Sequence, residues 1–340
     1  MTAERLPSQS ALPSARTDPA GPDMAVRPQA LSPAVAARSP AVPTADARVP
    51  SLSASLELLK PVTWFAPMWA LACGVVSAGV PIRENWISVV GTILLAGPLV
   101  CGTSQAANDW FDRHVDAINE PNRPIPSGRI PGRWGLMIAL GWTALSLLVA
   151  AFLGVWVFAA ALVGLALAWA YSAPPFRLKL NGWFGNAAVG LCYEGLPWFT
   201  GAAALTLTRP HADSILLALL YSAGAFGIMI LNDFKAIEGD RELGIRTLPV
   251  QLGVRPAAIF ACFAMALPQV AVVALLMARG DDAYAAVVGG LLLSQIAMMP
   301  GLVQSPRSHA PFYNATGTTC FVLGMMASAI AVGGGIERFF

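Results

Sequence analysis

Residues 134–171 read WGLMIALGWTALSLLVAAFLGVWVFAAALVGLALAWAY and indicate the fold class of this chain. It contains no Asp, Glu, Lys or Arg. An apolar helix of about 20 residues crosses a hydrocarbon core about 30 Å thick. The stretch is therefore long enough for two membrane crossings, which we place at 134–152 and 155–171 with a short connection at 153–155.

Apolar stretches of similar length recur along the rest of the chain. The 340 residues are 56% hydrophobic and 12% charged, whereas soluble domains carry about 25% charged residues. This composition predicts an all-α polytopic protein embedded in the lipid bilayer. The remaining seven of nine expected spans lie near 63–80, 87–107, 186–206, 213–232, 256–278, 284–303 and 314–333.

Residues 1–52 form a separate compositional region ahead of the predicted transmembrane domain at 53–340. The region is rich in Pro, Ala and Ser and has almost no aromatic residues. Such a composition cannot bury a hydrophobic core, so we expect a disordered extension. Because it lacks a continuous apolar segment, we do not read it as a signal peptide.

The positive charges of the connections predict the orientation of the spans. Connections 108–133, 172–185, 233–255 and 304–313 hold eleven Lys and Arg residues, and the opposite side holds four. Positive residues favour the cytoplasmic side, so these four connections are expected to face the cytoplasm from an inner cell or intracytoplasmic membrane. A net charge of only +2 without a basic stripe argues against nucleic-acid binding.

Acidic residues concentrate in two segments at predicted helix ends. Eight of the fourteen Asp and Glu residues beyond residue 60 lie in the first acidic cluster (residues 108–120) and the second acidic cluster (residues 232–242). Asn108, Asp112 and Asp116 are spaced four apart and share a helix face, which Asp109 flanks. Asp233 and Asp240 also share a face if their helix continues past Asn232.

Carboxylates this close repel one another unless a cation lies between them, and clustered hard oxygen ligands suit Mg²⁺ that also binds a phosphate. An Arg follows each cluster, Arg123 in one and Arg246 in the other, at similar spacing from the leading Asn. The two halves therefore predict a clamp for one diphosphate. Ordinary solvated helix ends and a cation-coupled transporter are the alternatives, although transporter carboxylates usually lie near mid-membrane.

The segments NDWFDRHVD (108–116) and NDFKAIEGDR (232–241) resemble the two aspartate-rich motifs of the intramembrane prenyltransferases, the UbiA superfamily. The resemblance extends from Leu56 to the last span. It implies nine transmembrane helices around a central lateral cavity that both motifs cap on the cytoplasmic side. It also implies transfer of a prenyl group from a prenyl diphosphate.

Other segments resemble the chlorophyll and bacteriochlorophyll synthases within that family. They are LLKPVTWFAPMWA (58–70), YSAPPFRLK (171–179), RHVDAINEPNRPIPSGRIPGRWG (113–135) and CYEGLPWFTGAA (192–203), of which the last two are nearer the bacteriochlorophyll enzyme. Many family members carry Asp where this chain has Ala236, and here a carboxylate stands at Glu238 instead. A prenyltransferase of the same fold acting on a quinone precursor or haem is the closest rival.

The resemblance implies esterification of the bacteriochlorophyllide a propionate with a geranylgeranyl or phytyl group from its diphosphate. Pigment-delivery partners are left open. The candidate magnesium ligands are Asn108, Asp109, Asp112, Asp116, Asp233, Glu238 and Asp240. The candidate diphosphate ligands are Lys60, Arg123, Tyr171, Arg177, Lys179 and Arg246. Glu194, a carboxylate inside a predicted span, is a candidate for the tetrapyrrole site because such residues are costly in lipid.

Overall fold

The computed structural model describes residues 49–338. Residues 1–48 of the predicted extension at 1–52 therefore lie outside the described residues. Ser51 caps the first helix of the described residues, with the Ala54 amide donating to Ser51 Oγ at 3.2 Å. That helix ends at Lys60, whose φ of 47° is left-handed and turns the chain into the first span. The first helix of the described residues therefore begins at Leu52.

Fourteen α-helices form in residues 49–338. They are α1 (Leu52–Leu59), α2 (Phe65–Ser77), α3 (Trp86–Leu94), α4 (Gly102–Asn119), α5 (Trp134–Leu153), α6 (Val155–Ser172), α7 (Gly182–Gly190), α8 (Leu196–Thr206), α9 (Ala212–Asp233), α10 (Ile237–Glu242), α11 (Leu248–Leu252), α12 (Val254–Ala278), α13 (Asp282–Gln304) and α14 (Pro306–Val332).

Two π-helical segments interrupt otherwise continuous helices. Leu95–Cys101 joins α3 to α4, and Leu191–Gly195 joins α7 to α8. Pro98 lies in the first of these segments and cannot donate a backbone hydrogen bond, while its carbonyl accepts from Trp142 Nε1 at 3.2 Å. Such segments occur often at functional sites. Both of these face the cavities described below.

All nine predicted spans lie in helices. Eight helical runs of the described part are long and apolar enough to cross a membrane. The predicted span 186–206 lies in a further run formed by α7, a π segment and α8, which contains Glu194 and several Gly and Pro residues and is therefore less apolar. The count of nine transmembrane helices implied by the family resemblance is therefore approximate.

The helices pack in a closed ring. Helices α9 and α12, α12 and α13, and α13 and α14 pack in sequence, and α14 returns to α2. Helix α2 also packs closely on α8. A Cβ at Gly201 on α8 would lie only 2.3 Å from the Leu71 carbonyl oxygen on α2. Small residues allow this approach, as is common between membrane helices. The ring leaves room for cavities at its centre.

Three predicted connections differ from the observed ones. Helix α4 continues to Asn119, so the first half of connection 108–133 is helical. Connection 304–313 shrinks to Ser305, because Pro306 begins α14 in the first-turn position that proline tolerates. Helix α9 ends at Asp233 rather than continuing, and the separate helix α10 follows after a short turn.

The predicted grouping of connections at the two ends of the bundle is confirmed by their contacts. Glu238 pairs with Arg307 at 2.5 Å, which joins the connection after α9 to the start of α14. Asn181 and Arg246 form an isolated parallel bridge between two other connections of the same group. At the opposite end Arg279 bonds Asp213. The two acidic clusters therefore share one end of the bundle.

Candidate active site

Two cavities lie at the centre of the helix ring. The first cavity has a volume of about 410 Å³, and its wall is mainly Ala, Leu, Val, Gly and Pro side chains. Asn108 and Asn232, the leading residues of both acidic clusters, line it together. The second cavity has a volume of about 360 Å³ and shares Asn232 and Tyr193 with the first. The two clusters are thus brought to one shared space.

Asn108 and Asp112 share one face of α4, as the four-residue spacing predicts, and Asn108 lines the first cavity. Asn108 Nδ2 donates to Ser172 Oγ at 3.1 Å, which fixes the amide against the end of α6. Lys179 Nζ donates to Asp112 Oδ1 at 2.5 Å, and Arg177 Nη2 lies 3.9 Å from the same oxygen. Two predicted diphosphate ligands therefore meet one predicted magnesium ligand.

Asp109 and Asp116 occupy the more buried side of the first acidic cluster. Asp109 is 1% exposed and accepts from Lys60 Nζ at 2.6 Å, but its Oδ2 has no partner. Asp116 accepts from Arg123 Nη1 at 2.9 Å, and the same nitrogen lies 3.5 Å from Asp109 Oδ1. Arg123 thus bridges two carboxylates within one helix end.

The loop after α6 aims Arg177 and Lys179 at α4. Arg177 has a left-handed φ of 40°, a strained conformation that persists only when its surroundings impose it. The loop is tied to the connection after α9 by a backbone pairing, in which Arg246 N donates to Leu180 O and Gly182 N donates to Arg246 O. Burial lowers the pKa of Lys179, and its hydrogen bond to Asp112 opposes that shift.

The second acidic cluster is not a continuation of α9. Asp233 closes α9 and accepts from Asn186 Nδ2 at 3.4 Å. Asp240 lies on α10, is buried, and accepts from Thr247 Oγ1 at 3.0 Å. Burial raises the pKa of Asp240 while the Thr247 hydrogen bond opposes that shift. A neighbouring cation would favour the ionised carboxylate.

Glu238 does not join this buried set. Its side chain is 64% exposed and pairs with Arg307, whereas Asp240 is buried. Two residues apart on a helix lie on nearly opposite faces, so α10 cannot present both carboxylates to one ion. Gly239 does not break the helix but lies inside it. We therefore remove Glu238 from the candidate ligands.

Two predicted diphosphate ligands have other contacts. Lys60 is held by the buried carboxylate of Asp109. Arg246 is exposed, and its backbone pairs with Leu180 and Gly182 in the loop after α6. The residue seven positions after Asp116 is Arg123 and the residue seven after Asp240 is Thr247, so a hydroxyl takes the place of the guanidinium in the second half. Tyr171 lines the first cavity.

The donor set fits a magnesium ion by its chemistry. It consists of carboxylate and amide oxygens, the ligands that Mg²⁺ prefers, and Asp109 Oδ2 is a buried oxygen without a partner. Among residues 49–338 no three His, Cys, Asp or Glu side chains already form a metal centre. Lys and Arg side chains pair with the carboxylates of the first cluster instead.

Several contacts of this region involve residues that the sequence reasoning did not single out. Asn186 and Thr247 bond the two aspartates of the second cluster, and Tyr193 lies between the cavities. Asn186 could have been suspected, because a polar residue within a predicted membrane span usually faces the protein interior. Thr247 carried no such signal.

Comparison with known proteins now bears on this arrangement. Residues 61–315 match the UbiA prenyltransferase family. The chain belongs to the UbiA prenyltransferase family. It is therefore an integral, multi-pass membrane prenyltransferase.

Individual relatives refine the comparison. The chain is 55% identical to the bacteriochlorophyll synthase 33 kDa chain of Cereibacter sphaeroides over 84% of this chain and 95% of that relative. It is 39% identical to the chloroplastic chlorophyll synthase of Avena sativa over 81% of this chain and 75% of that relative. The match to the bacteriochlorophyll enzyme is thus the stronger one.

Solved structures share the fold at low identity. A digeranylgeranylglyceryl phosphate synthase superposes with a TM-score of 0.68 at 21% identity, covering 83% of this chain and 98% of that one. A UbiA homolog from Archaeoglobus fulgidus bound to DMAPP and Mg²⁺ superposes with a TM-score of 0.57 at 21% identity, covering 78% and 98%. These similarities support the UbiA-type helix arrangement.

Proposed function

We propose that this prenyltransferase is a bacteriochlorophyll a synthase, which esterifies the propionate of bacteriochlorophyllide a with a geranylgeranyl or phytyl group. The 55% identity to a bacteriochlorophyll synthase over 95% of its length supports the choice of acceptor. One structural observation supports the reaction type most directly: Asn108 and Asn232, from separate acidic clusters, line one apolar cavity.

In this proposal the two clusters hold the diphosphate at the mouth of the first cavity. Asn108, Asp109, Asp112, Asp116, Asp233 and Asp240 are the proposed ligands of Mg²⁺, and Asp109 offers the oxygen Oδ2 that has no partner. When bound, Mg²⁺ supplies positive charge against the diphosphate. The Archaeoglobus fulgidus homolog with bound DMAPP and Mg²⁺ supports this choice of ion.

The chain's own cations have a defined task in the reaction. The propionate oxygen forms a bond to C1 of the prenyl group while the C1–O bond to the diphosphate breaks, and the diphosphate leaves with that electron pair. Lys179 and Arg177, which pair with Asp112 in this structure, are positioned to stabilise the negative charge of the leaving diphosphate. The propionate is already ionised at neutral pH, so no general base is required.

The first cavity provides the apolar environment that the prenyl group needs. Its wall is formed largely by small and aliphatic side chains such as Leu95, Ala161 and Gly164. Water that reached a developing allylic cation would compete with the propionate. We place the prenyl chain along this wall and the diphosphate at its polar end, where Tyr171 also lies.

The orientation proposal follows from charge. The connections that share an end with both clusters carry eleven Lys and Arg residues, against four at the other end. We therefore propose that the active site faces the cytoplasm. The closest rivals remain esterification of chlorophyllide, supported by 39% identity to a chlorophyll synthase, and prenylation of another aromatic or haem acceptor.

The test is an esterification assay in membranes containing the protein, with geranylgeranyl diphosphate, Mg²⁺ and either bacteriochlorophyllide a or chlorophyllide a. We expect a prenylated pigment by chromatography, formed faster from bacteriochlorophyllide. Asp240→Asn should lower turnover at least about 100-fold, whereas the matched exposed variant Glu238→Gln should stay within about twofold. Absence of any esterified pigment, or equal loss in both variants, would contradict the proposal.

A further inference from the structure

The second cavity differs from the first in the side chains that line it. Its wall combines Phe65, Trp69 and Tyr193 with polar side chains from α14, Asn314 and Thr318. The cavity lies between α2 and α14, and Phe65 on α2 is 63% exposed. The cavity, which has a volume of about 360 Å³, therefore opens toward the surface beside Phe65.

Glu194 supplies the strongest indication that a polar ligand group enters this cavity. It lines the cavity, is 7% exposed, and its Oε2 has no hydrogen-bond partner. The π segment Leu191–Gly195 carries it, and this segment packs closely on α9, where a Cβ at Gly195 would lie 2.4 Å from Ser222 Oγ. Burying an unpartnered ionised carboxylate is very costly, so the neutral acid, a hydrogen-bond donor, is the favoured form.

A chain of hydrogen bonds connects the second cavity to the second acidic cluster. Thr318 Oγ1 donates to Asn314 Oδ1 at 3.2 Å, and Asn314 Nδ2 donates to Asn232 Oδ1 at 3.2 Å. Asn232 lines both cavities and directly precedes Asp233. A ligand in the second cavity thus contacts the groups that hold the leading Asn of this cluster.

The aromatic side chains indicate the shape of the ligand. Phe65 and Trp69 stack with ring centroids 6.1 Å apart and planes inclined by 24°. Trp69 Nε1 donates to Val322 O at 3.0 Å, which fixes the indole between α2 and α14. Fixed aromatic faces together with a few polar groups suit a flat, conjugated ligand that carries carbonyl oxygens at its edge.

We infer that the second cavity binds the macrocycle of the tetrapyrrole acceptor, with Glu194 donating a hydrogen bond to a carbonyl oxygen on its edge. The inference rests on the proposed function and adds the position of the acceptor within it. Asn314 and Thr318 are positioning residues, because they hold Asn232 between the acceptor and the prenyl diphosphate.

The two cavities share part of their walls, and this brings the two substrates together as the reaction requires. Tyr193, Met229 and Asn232 line both cavities, so each substrate ends at the same wall. A propionate that extends from a macrocycle in the second cavity reaches toward the second acidic cluster, where the prenyl C1 is proposed to lie. The bond changes are those of the esterification above, and no further reactant is needed.

The test measures pigment binding without turnover. Detergent-solubilised protein is titrated with bacteriochlorophyllide a in the absence of prenyl diphosphate, and the pigment's absorption change gives its Kd. The variants are Glu194→Leu, which removes the donor, Glu194→Gln, which keeps one, and Thr318→Val. Thr316→Val on the same helix is the matched control, because Thr316 Oγ1 lies near Met298 in α13 and does not line the cavity.

We expect Glu194→Leu to raise the pigment Kd at least about tenfold, and Glu194→Gln and Thr316→Val to stay within about threefold. Thr318→Val should mainly lower the esterification rate, because it loosens Asn232, and should leave the Kd for geranylgeranyl diphosphate unchanged. Wild-type pigment binding by Glu194→Leu would overturn the inference. If Glu194→Leu also loses prenyl diphosphate binding, its loss of pigment binding is not specific and Thr318→Val becomes the test. A wild-type esterification rate in Thr318→Val would then overturn the inference.

The same measurements separate this inference from the proposed function. If the wild-type protein forms no esterified pigment at all, the proposed function fails and the acceptor site fails with it. If the wild-type protein esterifies bacteriochlorophyllide while the variants bind it normally, only the acceptor position is wrong.

Discussion

Replacing Lys60 by Met tests whether this residue serves the protein or the substrate. The Lys60 ammonium lies 2.6 Å from Asp109 Oδ1, and the carboxylate is 1% exposed with Oδ2 unpartnered. Removing one partner of a buried pair costs about 3–5 kcal/mol. Lys60 is 24% exposed and Arg123 Nη1 also lies 3.5 Å from Asp109, so we expect a cost below that range, about 2–3 kcal/mol.

The assay is thermal unfolding in detergent, followed by tryptophan fluorescence. At about 2–4 °C per kcal/mol, Lys60→Met should lower the Tm by about 5–10 °C. Lys235→Met, which removes an exposed lysine at the same end of the bundle, should change it by about 1 °C or less. The double variant Lys60→Met/Asp109→Leu should recover at least about half of the loss, because no unpaired buried charge remains.

A specific result would refute this reasoning. If Lys60→Met keeps the wild-type Tm and raises the KM for geranylgeranyl diphosphate at least about tenfold, Lys60 contacts the diphosphate, as the sequence alone suggested. The buried pair with Asp109 would then not be the state in which the enzyme works.

Two further predictions concern packing. Gly164→Leu should fill part of the first cavity and raise the KM for the C20 prenyl diphosphate at least about tenfold relative to a C10 diphosphate. Gly290→Leu is the control, because Gly290 is exposed and has open space around it. An unchanged ratio of the two KM values in Gly164→Leu would place the prenyl chain elsewhere. Gly201→Ala should lower the Tm by several degrees, because the new methyl would lie 2.3 Å from the Leu71 carbonyl oxygen and overpacking costs about 1–3 kcal/mol; a Tm equal to that of Gly290→Ala would show that α2 and α8 separate freely.

The sequence predicted the membrane fold because its signal is local. Residues 134–171 are apolar for two membrane thicknesses, and α5 and α6 form there with a turn at Gly154. The face shared by Asn108 and Asp112 could also be predicted, because α4 is regular and the four-residue spacing maps directly onto it. Each of these features depends on neighbours in the chain.

The second acidic cluster could not be predicted in the same way. Its helix stops at Asp233, and the turn that follows packs Phe234 and Ile237 into the core. That turn moves Asp240 inward and leaves Glu238 outside, whereas a continuous helix would have kept Asp233 and Asp240 on one face. Which of these outcomes occurs depends on packing with α12 and α13, not on spacing.

Contacts between distant segments were likewise invisible in the sequence. Lys60 and Asp109 are 49 positions apart, and Arg246 meets Leu180 through its backbone rather than its side chain. The hydrogen-bond chain from Thr318 to Asn232 joins residues of α14 and α9. Such pairs follow from the closure of the helix ring, which no local pattern encodes.

Binding of the prenyl diphosphate shows whether both acidic clusters act on one diphosphate. Radiolabelled geranylgeranyl diphosphate is bound to purified wild-type, Asp112→Asn and Asp240→Asn protein, with Mg²⁺ and with EDTA. We expect tight Mg²⁺-dependent binding by wild type, and a loss of at least about tenfold in both variants that extra Mg²⁺ does not restore. Wild-type affinity in either variant, or binding indifferent to EDTA, would contradict it.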